Sequence, residues 1–239
     1  MIKNGKTFDE ALKDAQAKGY AEKNPAADIE GYDACRKIAI LASLASRKTV
    51  DYNDIETEGI TAITLEDTQY ATKMGCVIKL IGYAEFLDNG KVYATVSPML
   101  IKDEHPISCV NGVFNAIMVT GDCVGDVMFY GRGAGKLPTA SAVVADIVDS
   151  VKHRERSKKI YWEHQEENIS ASKDDVKFRY FVRCTDTEDN IKNTFGECEF
   201  TESIINGETA FITPELTVSE KDEKLGKLNG AVSCIRVLE

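Results

Sequence analysis

The sequence predicts an α+β fold: helices packed on a mainly antiparallel mixed sheet, followed by a small βαββαβ unit. Helix-period and strand-period stretches follow one another in blocks, without the regular βαβ alternation of a parallel sheet. The run Leu87-Asp88-Asn89-Gly90-Lys91 places Asn-Gly between two apolar segments, a strong hairpin signal. The polar, basic stretch HRERSKK at 153–159 then divides the chain into two domains, residues 1–154 and 160–239.

Thr7 and Glu10 form a capping-box pattern for a first helix, in which Phe8, Ala11, Leu12 and Ala15 share one face and Gly19 closes the end. A polar connector over 20–28 leads into a second helix spanning about 29–45. A third, short helix starts at Thr64-x-x-Asp67 and stops before Gly75. Strands over 77–86 and 92–100 flank the hairpin turn, and two more, about 113–120 and 126–131, flank Gly121 to Gly125. Pro138 sits in the first turn of a further helix whose apolar face is Ala140, Val143, Val144, Ile147 and Val151. Beyond the linker the rhythm is strand 178–184, helix 187–195, strands 198–204 and 208–212, helix 218–228 and strand 231–237.

Composition excludes several classes. With 239 residues, 43% hydrophobic and 28% charged, 17 glycines and 5 prolines, the chain is neither disordered nor fibrous. No apolar run reaches the roughly 18 residues of a membrane span, and MIKNGKTFDEAL is not a secretory signal peptide. A net charge of −10 argues against binding a phosphate backbone. The seven cysteines form no CxxC pair and, with no export signal, read as reduced thiols in a cytoplasm. The three histidines show no ligand spacing, so no metal site is predicted.

The chemistry-bearing stretch is EKNPAADIEGYDACRK, residues 22–37. On a helix Asp33 and Lys37 point the same way, and Ile40, Leu44 and Leu41 flank that direction. The acid and the base therefore continue an apolar stripe, where charges must be paired or line a cleft. Glu22 and Asp28 could converge on the same mouth. Two readings stay open: a surface pair that merely supports its helix, or a pocket for a substrate carrying an ammonium and a hydroxyl. In the second, carboxylates hold the ammonium and a desolvated Lys37 trades a proton with the hydroxyl.

A second candidate is YGRGAGKLPTASAVVADI, residues 130–147, where a strand runs into Gly131, Gly133 and Gly135 before a helix starts. Glycines permit close backbone approach, and the free N–H groups of a helix start favour anions. Neither a Walker A loop nor a Rossmann fingerprint fits the spacing, and a plain structural turn is the alternative.

These motifs carry a family resemblance. GKTFDEALKDAQAKGYAEKNPAADIEGYDACRKIAILA, then EGI and ITLEDTQYATKMGCVIKLI, then FYGRGAGKLPTASAVVADI, closely resemble homoserine dehydrogenase over about residues 4–150. The resemblance implies interconversion of aspartate semialdehyde and homoserine with NAD(P), on the route to threonine, isoleucine and methionine. It implies that Lys37 is the catalytic lysine, that Glu22 and Asp33 bind homoserine and that Asp28 lines the same pocket. Gly19 and Gly133 match positions beside the cofactor. That family carries an N-terminal Rossmann domain with a GxGxxG loop before this region, and this chain shows none.

The expectation is therefore a substrate-binding and dimerisation portion, inactive alone, joined to a regulatory tail. The tail resembles an ACT domain, the usual amino-acid sensor of these enzymes, although TDTEDNIKNTFG lacks the Asp-x-Pro-Gly stretch typical of effector-binding examples. A homodimer is expected, with strand edges of the hairpin region as a contact surface. The alternative is a non-catalytic module for dimerisation and amino-acid sensing.

Overall fold

The computed structural model describes residues 6–17, 19, 23–156, 162 and 167–239. Helix α1 (Phe8–Ala17) starts as its capping pattern predicts: Thr7 N–H and hydroxyl both donate to Glu10 Oε2, and Glu10 N–H returns to Thr7 Oγ1. The predicted second helix is instead two. A single turn, α2 (Ala26–Ile29), precedes α3 (Tyr32–Ser46), and Gly31 between them sits at φ +80°. The break has a tertiary cause. The Ile29 carbonyl accepts from Ile60 N–H at 2.8 Å, and Gly59 approaches the 29–30 backbone so closely that a Cβ there would lie 2.4 Å from that oxygen.

Helix α4 (Leu65–Lys73) follows a short strand β1 (Glu56–Thr57) and carries the predicted Thr64/Asp67 capping box. The long hairpin β2 (Cys76–Phe86) and β3 (Val92–Lys102) pairs Phe86 with Val92 around a turn in which Gly90 takes φ +79°. A second hairpin, β4 (Phe114–Gly121) and β5 (Gly125–Arg132), leads to α5 (Lys136–Lys152), with Pro138 in the first turn. The tail is β6 (Tyr180–Cys184), α6 (Glu188–Phe195), β7 (Glu199–Thr201), β8 (Thr209–Ile212), α7 (Val218–Leu225) and β9 (Ala231–Leu238), the predicted βαββαβ order.

The two halves of the chain share one seven-stranded sheet. Along it the order is β1-β3-β9-β6-β8-β7, with β2 on β3, and β9 joins the halves by pairing Met99–Ile101 in parallel with Arg236–Leu238. The β1–β3 pair is also parallel and every other pair antiparallel, so the sheet is mixed as predicted. Strand alternation assigns its faces. On one side Val92, Val96 and Leu100 meet α3 and α4 through Cys35, Ala39, Ala42, Tyr70 and Ala71. On the other, Tyr180, Val182 and Cys184 meet Ile191 and Phe195 of α6 and Leu225 of α7. Gly82 on β2 lets α3 come close, since a Cβ there would stand 3.2 Å from Ile38 Cβ.

Hairpin β4–β5 and helix α5 differ from this body. Among the described residues, strands β4 and β5 pair only with each other, and α5 has no buried residue. Ile117, Val119 and Phe129 of the hairpin and Val143, Val144, Ile147 and Val151 of α5 are exposed. The apolar face predicted for α5 therefore exists but meets solvent.

Candidate functional site

Asp33 and Lys37 come together as the helical spacing requires. Lys37 Nζ lies 2.6 Å from Asp33 Oδ2, one turn apart on α3. Burial is where the expectation fails: the Lys37 side chain is 59% exposed and that of Asp33 48%. The core side of α3 is built from Cys35, Ala39, Ala42 and Ser43, so the stripe containing Asp33, Lys37, Ile40 and Leu44 is the open side. Small residues face the sheet because β2 and β3 run so close beneath the helix. Lys37 is thus solvated in this structure.

Asp28 is exposed on α2, the turn preceding Gly31. Among the described residues its carboxylate has no ion-pair partner. Gly31, at φ +80°, breaks the helix between Asp28 and Asp33, so the two carboxylates do not lie along one continuous helix. Glu22 lies outside the described residues.

Of the two glycines predicted beside a cofactor, Gly19 ends the first helical segment at φ +71°, its N–H donating to Gln16 O at 3.0 Å. Gly133 follows β5, where its N–H donates to Val113 O at 2.9 Å and an added Cβ would run into the Asn115 amide group. Gly135, at φ +126°, is the N-cap of α5 and offers no side-chain cap, leaving the first N–H groups of that helix open. The Gly133–Gly135 loop is therefore a glycine-built helix entry in which Asn115 fills the space a side chain at Gly133 would need. A cavity of about 540 Å³ runs along α5, lined by Val143, Asp146, Ile147, Ser150, Val151 and Arg154.

Among the described residues no three His, Cys, Asp or Glu side chains are arranged to hold a metal ion, and no helix is long and apolar enough to cross a membrane. All seven cysteines are free.

A family model for homoserine dehydrogenase matches residues 1–148. The chain belongs to the homoserine dehydrogenase family. It is 46% identical over 153 residues to the homoserine dehydrogenase of Bacillus subtilis, covering 64% of this chain and 35% of that protein. It is 49% identical over 154 residues to the Synechocystis homoserine dehydrogenase, covering 63% of this chain and 36% of the relative. The chain thus spans about a third of the length of the curated relatives it matches. Among solved homoserine dehydrogenases, the crystal structure from Thiobacillus denitrificans superposes with a TM-score of 0.86 at 30% identity, over 99% of this chain and 59% of that one. The S. aureus structure at pH 7.5 gives 0.80 at 32% identity, over 100% of this chain and 60% of the other. The structural likeness therefore extends past residue 148 into the βαββαβ tail.

One buried polar group was invisible in the sequence. Arg183, on β6, is buried with Asp67 of α4 and Glu208 of the β7–β8 turn, at 2.6 and 2.9 Å. No local pattern relates residues more than a hundred positions apart; the weak signal was an arginine within an otherwise apolar strand, YFVRC.

Proposed function

We propose that this chain is the substrate side of an NAD(P)-dependent homoserine dehydrogenase, interconverting L-aspartate 4-semialdehyde and L-homoserine in amino-acid biosynthesis. The observation that carries this is the Asp33–Lys37 pair on the open face of α3, within the region matched by the family model. Asp33, with Glu22 and Asp28, holds the substrate ammonium. Lys37 delivers a proton to the carbonyl oxygen during reduction and takes it from the hydroxyl during oxidation. Its contact with Asp33 keeps the ammonium head in place. Lys37 is solvated in this structure, so closure over the substrate is what desolvates it.

The entry to α5, whose glycine N-cap leaves the first N–H groups open, fits a segment running beside the cofactor; Gly133 and Gly19 are assigned that role. When bound, NAD(P) supplies or accepts the hydride. The main dinucleotide-binding unit lies outside these residues, and the unpartnered apolar surface of α5 supports that reading. On this account the 239-residue chain alone catalyses no hydride transfer.

The tail, with strand order β9-β6-β8-β7, is an ACT-like unit suited to an amino-acid effector. Asp186 in its first loop accepts from Thr187 N–H, Asn190 Nδ2 and Asn229 N–H. The protein acts as a homodimer in the cytoplasm, with the exposed apolar face of the β4–β5 hairpin as the contact surface and reduced cysteines in keeping with that compartment.

The test is NADPH oxidation by the purified chain with aspartate semialdehyde. The account expects none from the 239 residues alone and turnover once they are joined in one polypeptide to a dinucleotide-binding unit of the family. Robust oxidation by the chain alone overturns the half-site reading.

A further inference from the structure

Arg183 faces α4 and not the helices of its own unit. Its side chain is 2% exposed and Asp67 is fully buried. Nη1 donates to Asp67 Oδ1 at 2.6 Å and to Thr64 Oγ1 at 3.3 Å, while Nε and Nη2 fork onto the Glu208 carboxylate at 3.0 and 2.9 Å. The other oxygen of Asp67 accepts from the Thr64 N–H at 2.9 Å and the Thr64 hydroxyl at 3.0 Å. One carboxylate thus closes the cap of α4 and grips a cation from the distant half of the chain.

The same helix meets the β7–β8 turn twice more. Tyr70 Oη accepts from Ile204 N–H at 3.0 Å and Ile205 N–H at 3.3 Å, and Lys73 pairs with Glu202 at 2.6 Å. The Arg183 guanidinium also lies 5.2 Å from the Tyr70 ring centroid. Helix α4 is therefore held at its cap, its middle and its end by residues of the tail.

A cation beside a helix N-terminus is unfavourable in itself, so Arg183 favours α4 only through Asp67. Conversely, Asp67 deprived of Arg183 is an unpaired buried carboxylate, and its swing towards water opens the cap. The structure holds α4 in its capped arrangement, with Asp67 shared between Thr64 and Arg183. We propose that Arg183 is the coupling residue through which the C-terminal unit sets the capping state of α4. Movement of the β7–β8 turn withdraws Glu208 and removes the fork that holds the Arg183 guanidinium in place against Asp67. Since α4 and α3 both pack over β2, the same event reaches the helix that bears Asp33 and Lys37.

Amide hydrogen exchange on the full 239-residue chain tests this independently of any enzymatic assignment. In Glu208→Gln the first turn of α4 and residues 203–208 are expected to exchange at least tenfold faster together, with α7 unchanged. Acceleration confined to 203–208 overturns the proposal. Arg183→Lys keeps the charge but cannot fork, and wild-type exchange in that variant likewise overturns it. Should either charge variant fail to fold, Tyr70→Phe removes a neutral tie to the same turn. Joint acceleration of α4 and the turn is again expected, and an unchanged α4 refutes the coupling.

Discussion

Lys37 Nζ sits 2.6 Å from Asp33 Oδ2 on the side of α3 turned away from the sheet, so the pair is held together by helix geometry and open to a ligand. An exposed pair at this spacing contributes only about 0.3–0.5 kcal/mol to stability. Its removal is therefore expected to act on chemistry and not on folding. In an enzyme that includes this chain, Lys37→Ala lowers kcat at least about a hundredfold, the usual contribution of a general acid–base group, with an unchanged melting temperature. Steady-state kinetics with calorimetry checks both halves, and near-normal turnover removes Lys37 from the proton path.

The opposite balance holds at Arg183. Arg183→Met leaves Asp67 and Glu208 without their cation inside the protein, an arrangement costing about 3–5 kcal/mol. For a chain of this size that lowers Tm by roughly 10 °C. Thermal unfolding by circular dichroism measures it, and a shift near that of a surface substitution would show that the carboxylates find water without loss.

Gly31→Ala probes the helix break. At φ +80° an L-residue costs about 1–2 kcal/mol, and the new Cβ would also press on Val96 Cγ1 at 3.1 Å and Thr57 Cγ2 at 3.2 Å. Chemical denaturation is expected to show a loss at the upper end of that range, with α2 the segment displaced.

Alkaline pH gives a prediction of definite sign. Burial pushes the Tyr180 hydroxyl up from 10.0 to about 12, so the folded state favours the neutral phenol. The folded pKa lies above the unfolded one. The associated stability, about 3 kcal/mol at two pH units, is complete below pH 10 and is lost as pH rises from 10 to 12. Cys184, also raised by burial, acts in the same direction. Tyr180→Phe should flatten the decline of stability in that window, and an unaltered slope would place the titration elsewhere.

Local chemistry made much of this fold legible. The Thr64/Asp67 cap, the Asn89-Gly90 turn and the Thr187 start of α6 each occur where short-range hydrogen bonding requires them. What could not be read depends on distant partners. The break at Gly31 answers to Gly59 and Ile60, and the sheet is continuous because β9 inserts beside β3. The sequence pattern places the wrong face of α3 inward, because its core side is made of Cys35, Ala39, Ala42 and Ser43, whereas the larger Ile40 and Leu44 lie on the open side. Close helix–sheet packing selects small residues, and a hydrophobicity pattern weights large ones. The Asp33–Lys37 pair was nonetheless predictable, because its spacing alone brings the two groups together.

The most direct measurement of the central claim is calorimetric titration of homoserine into this chain and into Asp33→Asn. The account predicts saturable binding at one site per chain, lost at least tenfold in affinity when the carboxylate is neutralised. Binding that is absent in the parent chain, or unchanged by Asp33→Asn, would contradict a substrate pocket built on the open face of α3.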